Sequence, residues 1–239
     1  MMAKKKSGPH SDRLFQSLER IATFSTHAED AGQEIVGLTI VAGQTIRLVT
    51  DTSRLSRLKR FRFQLLHQWL VQNLEPCKAV DIGGGKGLLS YLLNQSGWEA
   101  AVIDPFEQPL PDKYKDIVSG FRVKIPPDTK VPYLQAEFQP EMAQPFDLLV
   151  GMHAHGCNVK IIDAAAEYGC GFVIFPCCVI DEPFYPHLGV HWLESLADYA
   201  VKKNQAISPF RLNFKGQNIG LYKAGRCKSK IEKWPDENY

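Results

Sequence analysis

The chain has 239 residues, 44% of them apolar and 23% charged, with a formal charge of +2. That profile suits one or two soluble globular domains. It excludes a disordered chain, a collagen-like fibre and a polytopic membrane protein, and the charge is too balanced to name a polyanionic partner by itself.

Residues 1–12 carry Lys4, Lys5, Lys6, Gly8 and Pro9 without apolar periodicity, and read as a disordered tail. An N-terminal extension over 13–74 follows. It opens with a weak helical pattern through Leu14, Leu18, Ile21 and Ala22. Residues 34–41 and 45–50 are rich in β-branched side chains around Ala42-Gly43-Gln44, which predicts a hairpin. Leu55, Leu58, Leu65, Leu66, Trp69 and Leu70 then fall at helical spacing and predict an amphipathic helix ending before Pro76. Arg54, Arg57, Lys59, Arg60 and Arg62 decorate that helix. Such a face is either solvated or tracks phosphates, as could Arg226, Lys228 and Lys230 in the basic polar tail expected over 226–239.

From residue 75 to 225 strands and helices alternate. Strands are expected at 79–82, 99–103, 133–135, 146–152 and 171–175, and helices at 88–93, 159–168 and 192–201. Residues 105–131, with five prolines, read as a long irregular insertion. Residues 210–214 and 219–223 flank Lys215-Gly216-Gln217-Asn218 and predict a terminal antiparallel hairpin. The alternation predicts an α/β domain with a Rossmann-like doubly wound sheet, mostly parallel, with helices on both faces. Ligands of such sheets bind beyond the carboxyl ends of the strands, so the residues after each strand carry the function.

After the first strand comes Asp81-Ile82-Gly83-Gly84-Gly85-Lys86-Gly87. Glycines there allow a sharp turn and close approach of a ligand, at the start of a helix. A dinucleotide fingerprint would require glycine at 88, which is leucine, and a phosphate loop would require Ser or Thr at 87, which is glycine.

The acidic residue followed by glycines at alternate positions resembles motif I of class I S-adenosylmethionine-dependent methyltransferases. The resemblance covers roughly residues 75–225. It implies S-adenosyl-L-methionine as cofactor, with Asp81, Gly83, Gly84, Gly85 and Gly87 around its methionine half. It assigns the ribose hydroxyls to Asp104, twenty-three residues after Asp81 at the end of the second strand. It places Glu137, after the third strand, near the adenine amino group. Taken as isolated residues, Asp104 is also a turn aspartate and Glu137 a solvated one.

A narrower resemblance lies in Gly85-Lys86-Gly87-Leu88-Leu89-Ser90, in Gly151-Met152-His153-Ala154-His155-Gly156, and in Pro176-Cys177-Cys178. These are similar to the GxGKGxLS, GLHACG and PCC motifs of a methyltransferase-like group that includes a tRNA 2′-O-ribose methyltransferase. The chain departs from it at His155, where that group has cysteine, and in lacking a histidine directly after Cys178. The group implies RNA, tRNA among it, as substrate. Two other readings stand beside it: a methyltransferase acting on a small molecule or protein under a lid formed by 105–131, and a catalytically silent RNA-binding module on the same fold.

His153 ends the fourth strand where the acceptor and the methyl group should meet, and is the candidate catalytic base; the alternative is a structural histidine. Cys77, Cys157, Cys170, Cys177, Cys178 and Cys227 follow no compact zinc pattern, and Cys177 and Cys178 would point apart if still in a strand. The sequence therefore predicts no metal site. The N-terminus lacks the apolar stretch of a secretory signal. Six cysteines make no disulfide scaffold, so the expectation is a reducing, cytoplasmic setting with free thiols. Oligomeric state is open.

Overall fold

The computed structural model describes residues 9–26 and 59–230. The predicted hairpin over 34–50, Arg54 and Arg57 lie outside those residues.

Five α-helices, two short 3₁₀ turns and nine strands make up the regular structure of the described residues. The helices are α1 (Pro9–Thr26), α2 (Arg62–Asn73), α3 (Leu88–Gln95), α4 (Asn158–Tyr168) and α5 (Trp192–Lys202). The strands are β1 (Lys78–Ile82), β2 (Glu99–Ile103), β3 (Lys113–Lys115), β4 (Arg122–Lys124), β5 (Tyr133–Leu134), β6 (Leu148–Met152), β7 (Gly171–Phe175), β8 (Ile207–Arg211) and β9 (Ile219–Lys223). Seven strands form one sheet in the order β5-β2-β1-β6-β7-β9-β8. Pairing is parallel from β5 to β7 and antiparallel at β7–β9 and β8–β9. This is the doubly wound sheet with a terminal hairpin that the alternation predicted. Strand order reverses between β1 and β6, which opens a crevice at their carboxyl ends.

The central strands are apolar throughout because both of their faces are covered. Val80, Ile82, Leu149, Phe172 and Ile174 point into one core with residues of α1, α4 and α5. Ala79, Leu148, Val150, Val173 and Phe175 point into the other with residues of α2 and α3. In the second core Trp69 of α2 stacks on Phe210 of β8 at 4.1 Å between ring centroids.

Several boundaries differ from expectation. The first arm of the terminal hairpin is 207–211, three residues earlier than predicted. Leu212 and Phe214 are buried beyond its end, so their apolar character marks core and not strand. Pro209 is tolerated because β8 is the sheet edge. The fourth strand begins at Leu148; Asp147 instead accepts a hydrogen bond from the Lys78 amide. Of the basic helix, the described part is a 3₁₀ turn at Lys59–Phe61 followed by α2. The insertion is not wholly irregular, since β3 and β4 pair within it as a two-stranded hairpin.

The segment after Gly225 also folds back on the body. The Glu75 amide donates to the Lys228 carbonyl, and the Lys230 amide to the Asn73 carbonyl. The Arg226 guanidinium donates to the carbonyls of Gln144 and Tyr168. Cys77 and Cys227 form a disulfide, with Cα atoms 5.7 Å apart and 150 residues between them in sequence. The free-thiol expectation fails for this pair, because the fold-back of the tail brings together two cysteines that no sequence spacing relates. Among the described residues no helix is long and apolar enough to cross a membrane.

Candidate functional site

The glycine loop after β1 is set by backbone conformation. Gly83, Gly85 and Gly87 have φ of 67°, 53° and 71°, the left-handed region that disfavours side chains. The alternate spacing seen in the sequence is thus an alternation of left-handed residues. Gly84 is required for a different reason: a Cβ there would lie 2.5 Å from Asp81 Oδ2. The Gly85 amide donates to Asp104 Oδ2 at 2.9 Å, which ties the loop to the end of β2.

Asp81 lies within β1 and is buried. Its Oδ2 has no hydrogen-bond partner among the described residues. Burial pushes its carboxyl up to about 7, Asp104 adds to the rise, and Arg62 at the start of α2 opposes it. Arg62 is itself held below its ordinary value by burial, with Asp81 pulling it back up. Its guanidinium also lies 4.4 Å from the Phe63 ring centroid. Arg62, expected on a face that is solvated or tracks phosphates, is thus half-buried, with its charge acting on Asp81.

A cavity of about 570 Å³ sits at the β1/β6 crevice. Gly83, Asp104, Phe106, Glu137, His153 and Lys160 are among its walls. It brings Gly83 of the loop together with Asp104, Glu137 and His153, from the ends of four different strands. Asp104 is half-buried; besides the Gly85 contact, its Oδ1 accepts from the Phe106 amide. Each of its oxygens keeps a further acceptor position. Glu137 is exposed on the rim. Phe106 projects at the mouth, 74% exposed, and its carbonyl accepts from the Tyr133 hydroxyl. Burial raises that hydroxyl to about 12, with Asp104 and Glu107 adding to the rise. Three acidic residues, Asp104, Glu137 and Asp181, face one cationic wall residue, Lys160. The balance favours a cationic ligand.

His153 is half-buried with φ of 61°, unusual for a residue with a side chain, and its amide donates to the Phe175 carbonyl at 3.2 Å. Asp181 on the facing loop is also left-handed, at 61°. Such backbone strain of about 1–3 kcal/mol persists only where the surroundings enforce it, and concentrates at functional sites. Glu182 supplies part of that enforcement. It is buried, and its carboxylate accepts from the amides of Asn158 and Val159 and from Asn158 Nδ2. It thereby caps the N-terminus of α4 from twenty-four residues away, which no local sequence signal could show.

The cysteines fall differently from expectation. β7 ends at Phe175, so Cys177 and Cys178 lie in a loop and need not point apart. Their sulfurs are 3.6 Å from one another. His155 joins them, with Nδ1 3.0 Å from Cys178 Sγ and Nε2 3.6 Å from Cys177 Sγ. The argument against a metal site from opposed side chains therefore does not hold. Burial pushes the Cys177 thiol up to about 11, the Cys178 thiol adding to the rise, and burial likewise raises Cys157 to about 11. Both are weak candidates for a thiolate nucleophile.

Set beside known proteins, the chain matches no family model. It is 33% identical over 104 residues to a protein of Caenorhabditis briggsae named "probable tRNA (uracil-O(2)-)-methyltransferase". It is 30% identical over 104 residues to a human protein of the same name. These matches cover 44% and 43% of the chain, but only 18% and 12% of the relatives, so the matched stretch spans less than a fifth of either relative's length. Among solved structures it is similar to magnesium protoporphyrin IX methyltransferase from Synechocystis PCC 6803 with bound SAM. There the identity is 14%, coverage is 93% of this chain and 100% of the other, and the TM-score is 0.43. An S-adenosylmethionine-dependent methyltransferase from Agrobacterium tumefaciens matches at 9% identity over 70% of this chain and 61% of that one, with a TM-score of 0.39.

Proposed function

We propose that this chain is an S-adenosyl-L-methionine-dependent methyltransferase acting on RNA, with tRNA the leading class. The observation that carries the cofactor is Asp81: a buried carboxylate with an unpartnered oxygen beside three left-handed glycines. Leaving such a group without a partner is costly, and a cationic ligand removes the cost. The residues present fit the cofactor. Asp81 would hold its ammonium group, the backbone of Gly83–Gly87 its methionine half, Asp104 its ribose hydroxyls and Glu137 its adenine amino group. When bound, the cofactor supplies a methyl group on a sulfonium, already activated for displacement.

The chain's own work is then positioning. The loop and the β2 end fix one reactant, and the cavity wall at the end of β6 receives the other. His153 holds the acceptor hydroxyl and takes its proton. The names of the curated relatives, which place their methyl group on an oxygen of tRNA, favour an oxygen acceptor here.

The β3–β4 hairpin supports RNA over a small substrate. Its register sets Lys113 opposite Lys124 and Lys115 opposite Arg122. Like charges directly opposite destabilise a hairpin. All four are exposed, and Phe121 at the turn is 76% exposed. Cations beside a free aromatic ring suit a single-stranded nucleic acid, which offers phosphates and stacking faces together. The hairpin is also held in place: Gln64 of α2 donates to the Lys115 carbonyl and accepts from the Ile117 amide.

The test is transfer of labelled methyl groups to fractionated RNA, protein and small molecules. Label entering RNA is the expected result. Label entering only small molecules would remove RNA as substrate, and no cofactor binding by calorimetry would remove the enzyme. A separate measurement addresses the hairpin. In Lys113→Ala/Lys124→Ala the log–log salt slope of RNA binding should flatten by about 1.4, the value for two lost single-strand phosphate contacts. An unchanged slope would return the hairpin to a merely solvated surface.

A further inference from the structure

We propose that His155, Cys177 and Cys178 form a zinc-binding site on the rim of the cavity. This goes beyond the methyl-transfer reading, and zinc binding can be measured without turnover.

The three side chains offer one ligand atom each, all within 4.8 Å of one another. A tetrahedral zinc centre, with bonds of about 2.3 Å to sulfur and 2.0–2.1 Å to nitrogen, needs sulfurs about 3.8 Å apart and nitrogen about 3.5 Å from sulfur. The sulfurs here are 3.6 Å apart and His155 Nε2 is 3.6 Å from Cys177 Sγ. Two of the three ligand pairs thus stand at the spacing a metal needs, and the third lies within 4.8 Å, so a turn of the exposed His155 ring completes the set.

The backbone holds this arrangement. β6 and β7 are paired in parallel up to Met152 opposite Phe175. Their following loops therefore leave the sheet side by side. Beyond that pair the His153 amide still donates to the Phe175 carbonyl, which fixes where the 153–156 turn starts relative to Pro176. Gly156, with φ of 65°, lies against Asp181: a Cβ there would stand 2.9 Å from both Asp181 Cβ and the Asp181 carbonyl oxygen. The His155 turn is thus packed from both sides, by the end of β7 and by the loop that follows the two cysteines.

The donor set selects the metal. Two sulfurs and an imidazole suit zinc and are poor ligands for magnesium or calcium, which prefer oxygen. Binding would release the two thiol protons to solvent. Three protein ligands leave a fourth position. His155 lines the cavity, so the metal would stand at its edge and not in the hydrophobic core.

The experiment uses the full-length protein, stripped with a chelator and handled anaerobically. Cobalt(II) serves as the spectroscopic probe and zinc as its competitor. One equivalent of cobalt should give thiolate-to-metal charge-transfer absorption in the near ultraviolet and tetrahedral bands in the visible, and zinc should displace both. Cys177→Ser/Cys178→Ser should abolish the charge-transfer band. His155 is exposed, so His155→Ala should keep the fold by circular dichroism and lose the tetrahedral bands. Wild-type protein without these bands would overturn the site, as would bands that persist unchanged in either variant. Peptide mapping of the untreated protein that finds Cys177 and Cys178 joined to each other would overturn it too.

Discussion

Asp81→Asn should abolish S-adenosylmethionine binding and at the same time make the cofactor-free protein more stable at pH 8. Both effects come from the same buried carboxyl. In the folded chain it titrates at about 7, against about 3.9 for an ordinary aspartate. The folded pKa is raised, so the charged form is the unfavourable one. Above pH 7 the folded state carries the full penalty. Between pH 7 and 4 the folded state binds more protons than the unfolded one, so stability rises on acidification, and below about 4 the penalty is absent. Roughly three units correspond to a contribution on the order of 4 kcal/mol. Asparagine removes the charge at nearly constant shape, so the variant should lose this pH dependence. The wild type should bind the cofactor about tenfold more weakly per unit as pH falls below 7, because protonation of Asp81 removes the partner of the ammonium group. Arg62 and Asp104 act on the same carboxyl, from α2 and from the end of β2, so thermal melts of Arg62→Ala should show it still less stable than the wild type at high pH. Calorimetry finding wild-type affinity in Asp81→Asn would remove Asp81 from the cofactor site.

His153→Ala should lower turnover by about a hundredfold or more while changing cofactor affinity little, as for loss of a positioned proton acceptor. The left-handed backbone at this residue makes a second variant informative. Alanine keeps the strain, whereas glycine relieves it. His153→Gly should therefore be at least as stable as His153→Ala, and should lose turnover to the same degree if the imidazole does the work. Near-normal turnover per folded molecule in both variants would make His153 a residue of the fold alone. Single-turnover rates at saturating cofactor, read beside thermal melts, separate the two outcomes.

The glycine loop was legible because its constraint is local. A left-handed φ at alternate residues leaves a direct mark in composition, and the buried strands leave unbroken apolar runs. Asp104 and His153 were legible because each directly follows such a run. What escaped the sequence depends on distant partners. Glu182 caps a helix that begins twenty-four residues before it. His155 meets Cys177 and Cys178 only through the parallel register of β6 on β7, and the adjacent cysteines looked opposed only while they were assumed to be in a strand. The β3–β4 hairpin escaped because its arms are three residues long and mostly cationic, with Tyr114 and Val123 as the one apolar cross-strand pair. The partial burial of Arg62 escaped because a helix period cannot tell a solvated arginine from one whose charge acts on a buried carboxylate.

The Cys77–Cys227 link changes the molecule's topology as well as its contacts. Cys77 directly precedes β1 and Cys227 follows β9, so every strand of the large sheet, and the β3–β4 hairpin with them, lies inside one covalent ring, while α1 and α2 precede it in the chain and join it only by packing. The ring's influence falls mainly on the unfolded chain, whose conformations it curtails. For a loop of 150 residues the chain-entropy estimate is about 5 kcal/mol. Oxidised and reduced forms would thus share one folded structure but fall apart into different ensembles, one a closed loop with a tail and the other a linear polymer. For this protein, folding stability is a property of sequence and redox setting together.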